Sequence, residues 1–174
     1  AYDVRASVAH AEMLNACGLL GDDDVAAIRD GLVRLGESHA AGDWHIGLAD
    51  EDAHTALERR LTEAIGEAGG RVHLGRSRND QVLAALRLYL KDAAAGLAAG
   101  AGSLAAALDR LAERQGGVEL PGYTHLQQAM PSSVALWAGG FAAALRDDAE
   151  GLAAAGRRID RNPLGRDRKS TRLN

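Results

Sequence analysis

Two short polar runs, "RSRND" at Arg76–Asp80 and "YTHLQ" at Tyr123–Gln127, interrupt an otherwise Ala- and Leu-rich sequence. The first run groups the guanidinium forks of Arg76 and Arg78 with the Ser77 hydroxyl and the Asn79 amide, all donors suited to carboxylate or phosphate oxygens. Asn79 and Asp80 are good N-cap residues for the apolar segment that follows. The run is therefore predicted to open into a helix N-terminus, where free N–H groups and the positive dipole end attract anions. The second run follows a Pro-Gly turn in "LPGYTHLQ" and places Thr124 and His125 a few residues ahead of another helix start. An imidazole beside anion donors suits proton transfer, a role that on the residues alone stands level with that of an ordinary loop histidine. Two helix entrances lined with donors fit a small substrate carrying several carboxylates.

Other chemistries fit less well. A phosphate loop needs a Lys followed by Ser or Thr after its glycines, which "GGRVHLGRS" lacks. Asp52 and His54, two apart, do not share a helix face as zinc ligands would. Asp22–Asp24 read as an N-cap with an acidic first turn rather than a metal site. His10, His39, His45 and His73 read as surface or packing residues. The single Cys17, in an apolar helical context, is expected to be a buried, inert thiol. No metal and no cofactor is expected.

The elements that must position these residues are helical. The chain of 174 residues holds 36 Ala, 3 Pro and 1 Phe, which points to an all-α fold. Val4, Val8, Ala11 and Leu14 lie at helical spacing ahead of Gly18, a C′ glycine. A second helix follows Asp22–Asp24, "AAGDWHIGLAD" reads as a linker, and "EDAHTALERRLTEAIG" as a third helix. Leu83, Leu90, Leu97, Leu104 and Leu111 then recur every seven residues, interleaved with Leu86, Ala93, Gly100 and Ala107. That repeat predicts one long bundle helix over about Asp80–Arg114, with small residues that let a neighbour approach. A last helix should start at Pro131 or Ser132 and end before Pro163. The expected organisation is a short-helix domain over 1–75, the first part of a helix bundle over 76–165, and a disordered or foreign tail over 166–174. A net charge of −4 argues against nucleic acid as the main partner. No run reaches the ~18 apolar residues of a membrane span, and no leader opens the chain, so a cytoplasmic location is expected.

Four stretches, "YDVRASVAHAEML", "EDAHTALERRLTEAIG", "HLGRSRNDQV" and "LPGYTHLQQAMP", resemble successive segments of the argininosuccinate lyases in the fumarase/aspartase superfamily. The resemblance runs from Tyr2 to Gly165. Fumarases and aspartases carry a related "SSND" block and adenylosuccinate lyases a different one, so Arg78 and Tyr123 favour the argininosuccinate branch. The resemblance implies a helical fold with a central bundle of long helices, assembled as a homotetramer. It also implies β-elimination of argininosuccinate to arginine and fumarate, a step of arginine biosynthesis. A base removes the Cβ proton beside a carboxylate, and an acid assists departure of the guanidinium nitrogen. Donors around the carboxylate that gathers charge lower the barrier, each by ~3 kcal/mol.

By position, Ser77, Arg78 and Asn79 match the block that holds substrate carboxylates, and Thr124 matches a substrate hydroxyl contact. His125 matches the catalytic histidine, described in the family both as taking the proton and as delivering one. Asp52 matches a position lining the pocket at the arginine-like end, and equally reads as a helix N-cap. Leu74 and Met130 replace residues more usual in these motifs. The family's opening "WGGRF" segment and its third block, a glycine- and serine-rich loop with the catalytic serine and a lysine, are not in this sequence. Since the resemblance implies a pocket built from blocks of three subunits, these 174 residues are expected to be inactive alone. Two rival readings are another fumarate-releasing lyase of the superfamily and a non-catalytic helical protein derived from such a lyase.

Overall fold

The computed structural model describes residues 1–163, so the expected tail at 166–174 lies outside the described residues. Helix dominates, as the composition suggests, and the described residues divide into two compact units, one over Ala1–Tyr89 with residues 161–163, the other over Leu90–Asp160.

In the first unit, α1 (Tyr2–Ala16), α2 (Asp22–Ala41) and α3 (Ala53–Ile65) pack together, followed by a 3-10 stretch at Gly66–Arg71 and the opening turns of α4 (Arg78–Gln115). The apolar positions spaced along α1 meet the core, with Ala11 and Leu14 buried and Val4 and Val8 against its edge. Ile28, Leu32 and Leu61 are its largest fully buried side chains, each stabilising the unit by about 1.5–3 kcal/mol. The approach of α2 to α3 depends on Gly31, where an added Cβ would stand 2.6 Å from Leu61 Cδ1. Gly18 ends α1 with φ 70°, its N–H reaching Asn15 O and the Leu19 N–H reaching Leu14 O, both at 2.8 Å. Asp22–Asp24 form the first turn of α2 after Gly21, and Asp24 pairs with Arg71 at 2.6 Å.

Two expectations change here. Cys17 is exposed rather than buried; α1 stops at Ala16 and leaves it at the C-cap. The expected linker is strapped down. Trp44 donates from Nε1 to Leu35 O at 3.1 Å, with the Arg60 guanidinium 4.3 Å over its ring. Buried Asp50 accepts from the Gly47 N–H at 2.9 Å and from Arg59 at 2.6 Å.

The second unit holds the rest of α4, two small ladders, and α5 (Val134–Ile159). Lys91 pairs with Asp160 at 2.7 Å, and Asp109 pairs with Arg146, so α4 and α5 run antiparallel. Alanines are the buried positions here, Ala94 and Ala105 on α4 and Ala138 and Ala142 on α5. The heptad leucines Leu97 and Leu104 are exposed and line a groove of about 700 Å³ with Gly96, Gly100, Leu145 and Leu152. Between the helices, β1 (Glu119–Leu120) pairs with β4 (Ser132–Ser133) and β2 (Tyr123–Thr124) with β3 (Gln127–Gln128), all antiparallel. Because Ser132 and Ser133 are taken into that ladder, α5 starts at Val134, later than expected, with Ser133 Oγ accepting from the Leu136 N–H at 3.2 Å. Gly122 is required at the turn of the chain, since a Cβ there would run into Met130 O. No helix among the described residues is long and apolar enough to cross a membrane.

Candidate functional site

The head of α4 begins two residues earlier than the expected Asp80. Gly75 (φ 75°) turns the chain, and Ser77 takes the capping position, its carbonyl accepting from the Asp80 and Gln81 N–H groups at 3.1 and 3.3 Å. Asp80 reaches back, and its Oδ2 accepts from the Ser77 N–H at 3.0 Å and the Ser77 hydroxyl at 3.1 Å. This is the back-reaching half of a capping box, with Asp in the place of Glu. Asp80 therefore caps from inside the first turn, and Asn79 is an exposed first-turn residue rather than an N-cap.

Arg78, the first residue of α4, meets the start of α3. Its Nη1 donates to both Asp52 oxygens at 2.8 Å and to Thr55 Oγ1 at 2.7 Å. Asp52 is at the same time the N-cap of α3, its Oδ1 accepting from the Thr55 N–H at 2.7 Å and the Thr55 hydroxyl at 2.9 Å. Of the two roles open for Asp52 in the sequence, the structure shows the helix cap, and the same carboxylate pairs with Arg78. Partial burial works against its charge, but the Thr55 and Arg78 donors outweigh it and hold the carboxyl at about 2. Thr55 was not singled out from the sequence. Its position three residues after an Asp at a helix start is the signal that could have found it.

Behind this cluster α1 anchors the loop. Arg76 does not join Arg78 as a second exposed fork; it turns inward and donates from Nη2 to Ser7 Oγ at 2.9 Å, and burial pushes its guanidinium below the ordinary value. His10 donates from Nε2 to Leu74 O at 2.9 Å. His54 Nδ1 lies 2.8 Å from Asp3 Oδ2, at ion-pair distance although off the line of a hydrogen bond. Asp52, Ser77, Arg78 and Asn79 all belong to this first unit.

Thr124 and His125 belong to the second unit and lie on an exposed hairpin rather than on a loop of no regular structure. His125 and Leu126 are the two turn residues between β2 and β3, with φ 47° and 63°. Both therefore sit in the left-handed region that a type I′ turn demands and that Asn-Gly usually fills. The His125 ring is presented at the hairpin tip, with Leu126 beside it 94% exposed. Among the described residues no group of three or more His, Cys, Asp or Glu side chains is placed to hold a metal ion.

A family model described as lyase matches residues 1–166. The chain belongs to the lyase family. Among its relatives, the argininosuccinate lyase of Sorangium cellulosum (strain So ce56) is 47% identical over 169 residues, which is 95% of this chain and 38% of that protein. The argininosuccinate lyase of Thiobacillus denitrificans (strain ATCC 25259 / T1) is 44% identical over 164 residues, 94% of this chain and 35% of that protein. This lyase-family chain thus spans well under half the length of the curated relatives it matches. Among solved lyase structures, EDDS lyase in complex with formate superposes with a TM-score of 0.79 at 26% identity, covering 94% of this chain and 32% of that one.

Proposed function

We propose that this lyase-family chain is part of an argininosuccinate lyase, cleaving argininosuccinate to arginine and fumarate by β-elimination. The observation that carries this reading is the meeting of Arg78 and Asp52 at the starts of α4 and α3, an anion receptor and a cation receptor side by side. A substrate with a dicarboxylate at one end and a guanidinium at the other needs both. In the reaction a base takes the Cβ proton, the C–N bond to the guanidinium nitrogen breaks, a C=C bond forms, and the departing nitrogen takes up a proton. Ser77, Arg78 and Asn79 hold substrate carboxylates, Thr124 contacts the substrate through its hydroxyl, His125 moves a proton, and Asp52 holds the guanidinium end. No metal or cofactor takes part. In the whole enzyme, residues 1–75 form a short-helix domain and 76–165 the first part of a central bundle. That enzyme is a cytoplasmic homotetramer whose pocket is completed across copies, so that these 174 residues alone do not turn over substrate.

The test is a chimera in which this chain replaces the matching segment of the Sorangium cellulosum relative. The chimera should release fumarate from argininosuccinate, and His125→Asn should lower its kcat by a hundredfold or more, in the range general acid–base catalysis contributes, about 10²–10⁴. A kcat within about tenfold of the parent removes the role assigned to His125. The likeness to EDDS lyase supports a second reading, a fumarate-releasing lyase that acts on a different amine. Turnover of another N-substituted aspartate with none of argininosuccinate would favour it.

A further inference from the structure

In this chain Arg78 and Asp52 occupy each other. Nη1 of Arg78 stands 2.8 Å from both carboxylate oxygens, yet the side chains are 42% and 37% exposed, open to a ligand arriving from solvent. Resting on the lyase reading above, we propose that this pair determines specificity, as an internal stand-in for the two ends of the substrate. A ligand bearing only carboxylates that takes Nη1 of Arg78, the nitrogen that holds Asp52, breaks the pair and leaves Asp52 with no cation. A ligand bearing a carboxylate and a guanidinium gives each residue a new partner, exchanging one charge pair for two.

Asp52 is built to survive the exchange. The Thr55 N–H and hydroxyl both donate to Oδ1, at 2.7 and 2.9 Å, so the carboxylate keeps its place when Arg78 leaves and offers Oδ2 to the incoming cation. The same geometry favours product release. Once the C–N bond is broken and the guanidinium departs, fumarate holds Arg78 against a bare Asp52, which competes to reclose on it.

Asp52→Asn separates charge from scaffold, because Asn caps a helix as well as Asp. Calorimetric titration of the full chain with fumarate at low salt should show binding tightened by about fivefold in Asp52→Asn, the upper range for a half-exposed ion pair. Argininosuccinate binding should weaken in the same variant. Glu150→Gln, which removes an equal charge from an exposed position on α5, should change neither. The proposal is overturned by fumarate binding that is unchanged or weaker in Asp52→Asn, or absent from both proteins. It is equally overturned by an equal gain in Glu150→Gln, or by argininosuccinate binding that rises in step with fumarate. No turnover is read, so a chimera that fails to release fumarate leaves this comparison intact.

Discussion

Single side chains in this protein carry more than one task, and their protonation follows from it. The Asp50 carboxyl, bonded first to the Gly47 N–H and then to Arg59, lies at about 2, as does that of Asp52. Both are depressed from an ordinary 3.8. Their contribution to stability is therefore complete above that ordinary value and is lost as pH falls toward 2. His10 behaves in the related sense. Burial lowers its pKa, the bond to Leu74 O opposes that, and the charges of Arg76 and His73 add to it against the pull of Asp80. A depressed imidazole means that the unfolded chain binds the proton more readily, so stability should fall as pH drops below 6.5. Urea midpoints measured between about pH 5 and 8 should show a steeper loss toward acid in the parent than in His10→Gln, and equal slopes would contradict the assignment. These pairings were only half legible in the sequence. That Ser77 and Arg78 would donate could be read from residue type, whereas the inward turn of Arg76 onto Ser7 depends on a residue 69 positions away, which local spacing does not encode.

Among elements, the long helices were legible because an apolar period of three to four residues persists over many turns. The ladders around His125 were not. Strands of two residues carry no alternating pattern, and a His-Leu turn lacks the Asn-Gly signature of a tight hairpin. Leu126 at φ 63° carries a left-handed cost of about 1–2 kcal/mol. Leu126→Gly should recover most of it, seen as higher protection of the hairpin amides in hydrogen exchange, and unchanged or lower protection would show that the turn is not strained. Gly31→Ala should act in the opposite direction. With Leu61 Cδ1 2.6 Å from the new methyl, overpacking between α2 and α3 should cost about 1–3 kcal/mol, measured as a lower urea midpoint. A neutral result would mean that Leu61 changes rotamer freely.

For the molecule as a whole, the surface of α4 and α5 is the informative feature. Leu97 and Leu104 are 62% and 53% exposed, and Trp137 stacks edge-on with Phe141 at 5.3 Å, with both rings largely open to solvent. Apolar stripes of this extent promote association. Sedimentation velocity should show the chain self-associating, and the double variant Leu97→Glu, Leu104→Glu should shift it toward monomer; a monomeric parent would contradict this. The heptad spacing was visible in the sequence. That alanines rather than those leucines would be the buried positions was not, because the period marks a seam without saying which neighbour fills it. Helix α4 also contributes residues to both compact units, which part between Tyr89 and Leu90 within its first half. At this boundary the chain is helix and not loop. Severing the chain there would strand up to four carbonyls on one side and four amides on the other, so the two halves must be inherited, trimmed and engineered together.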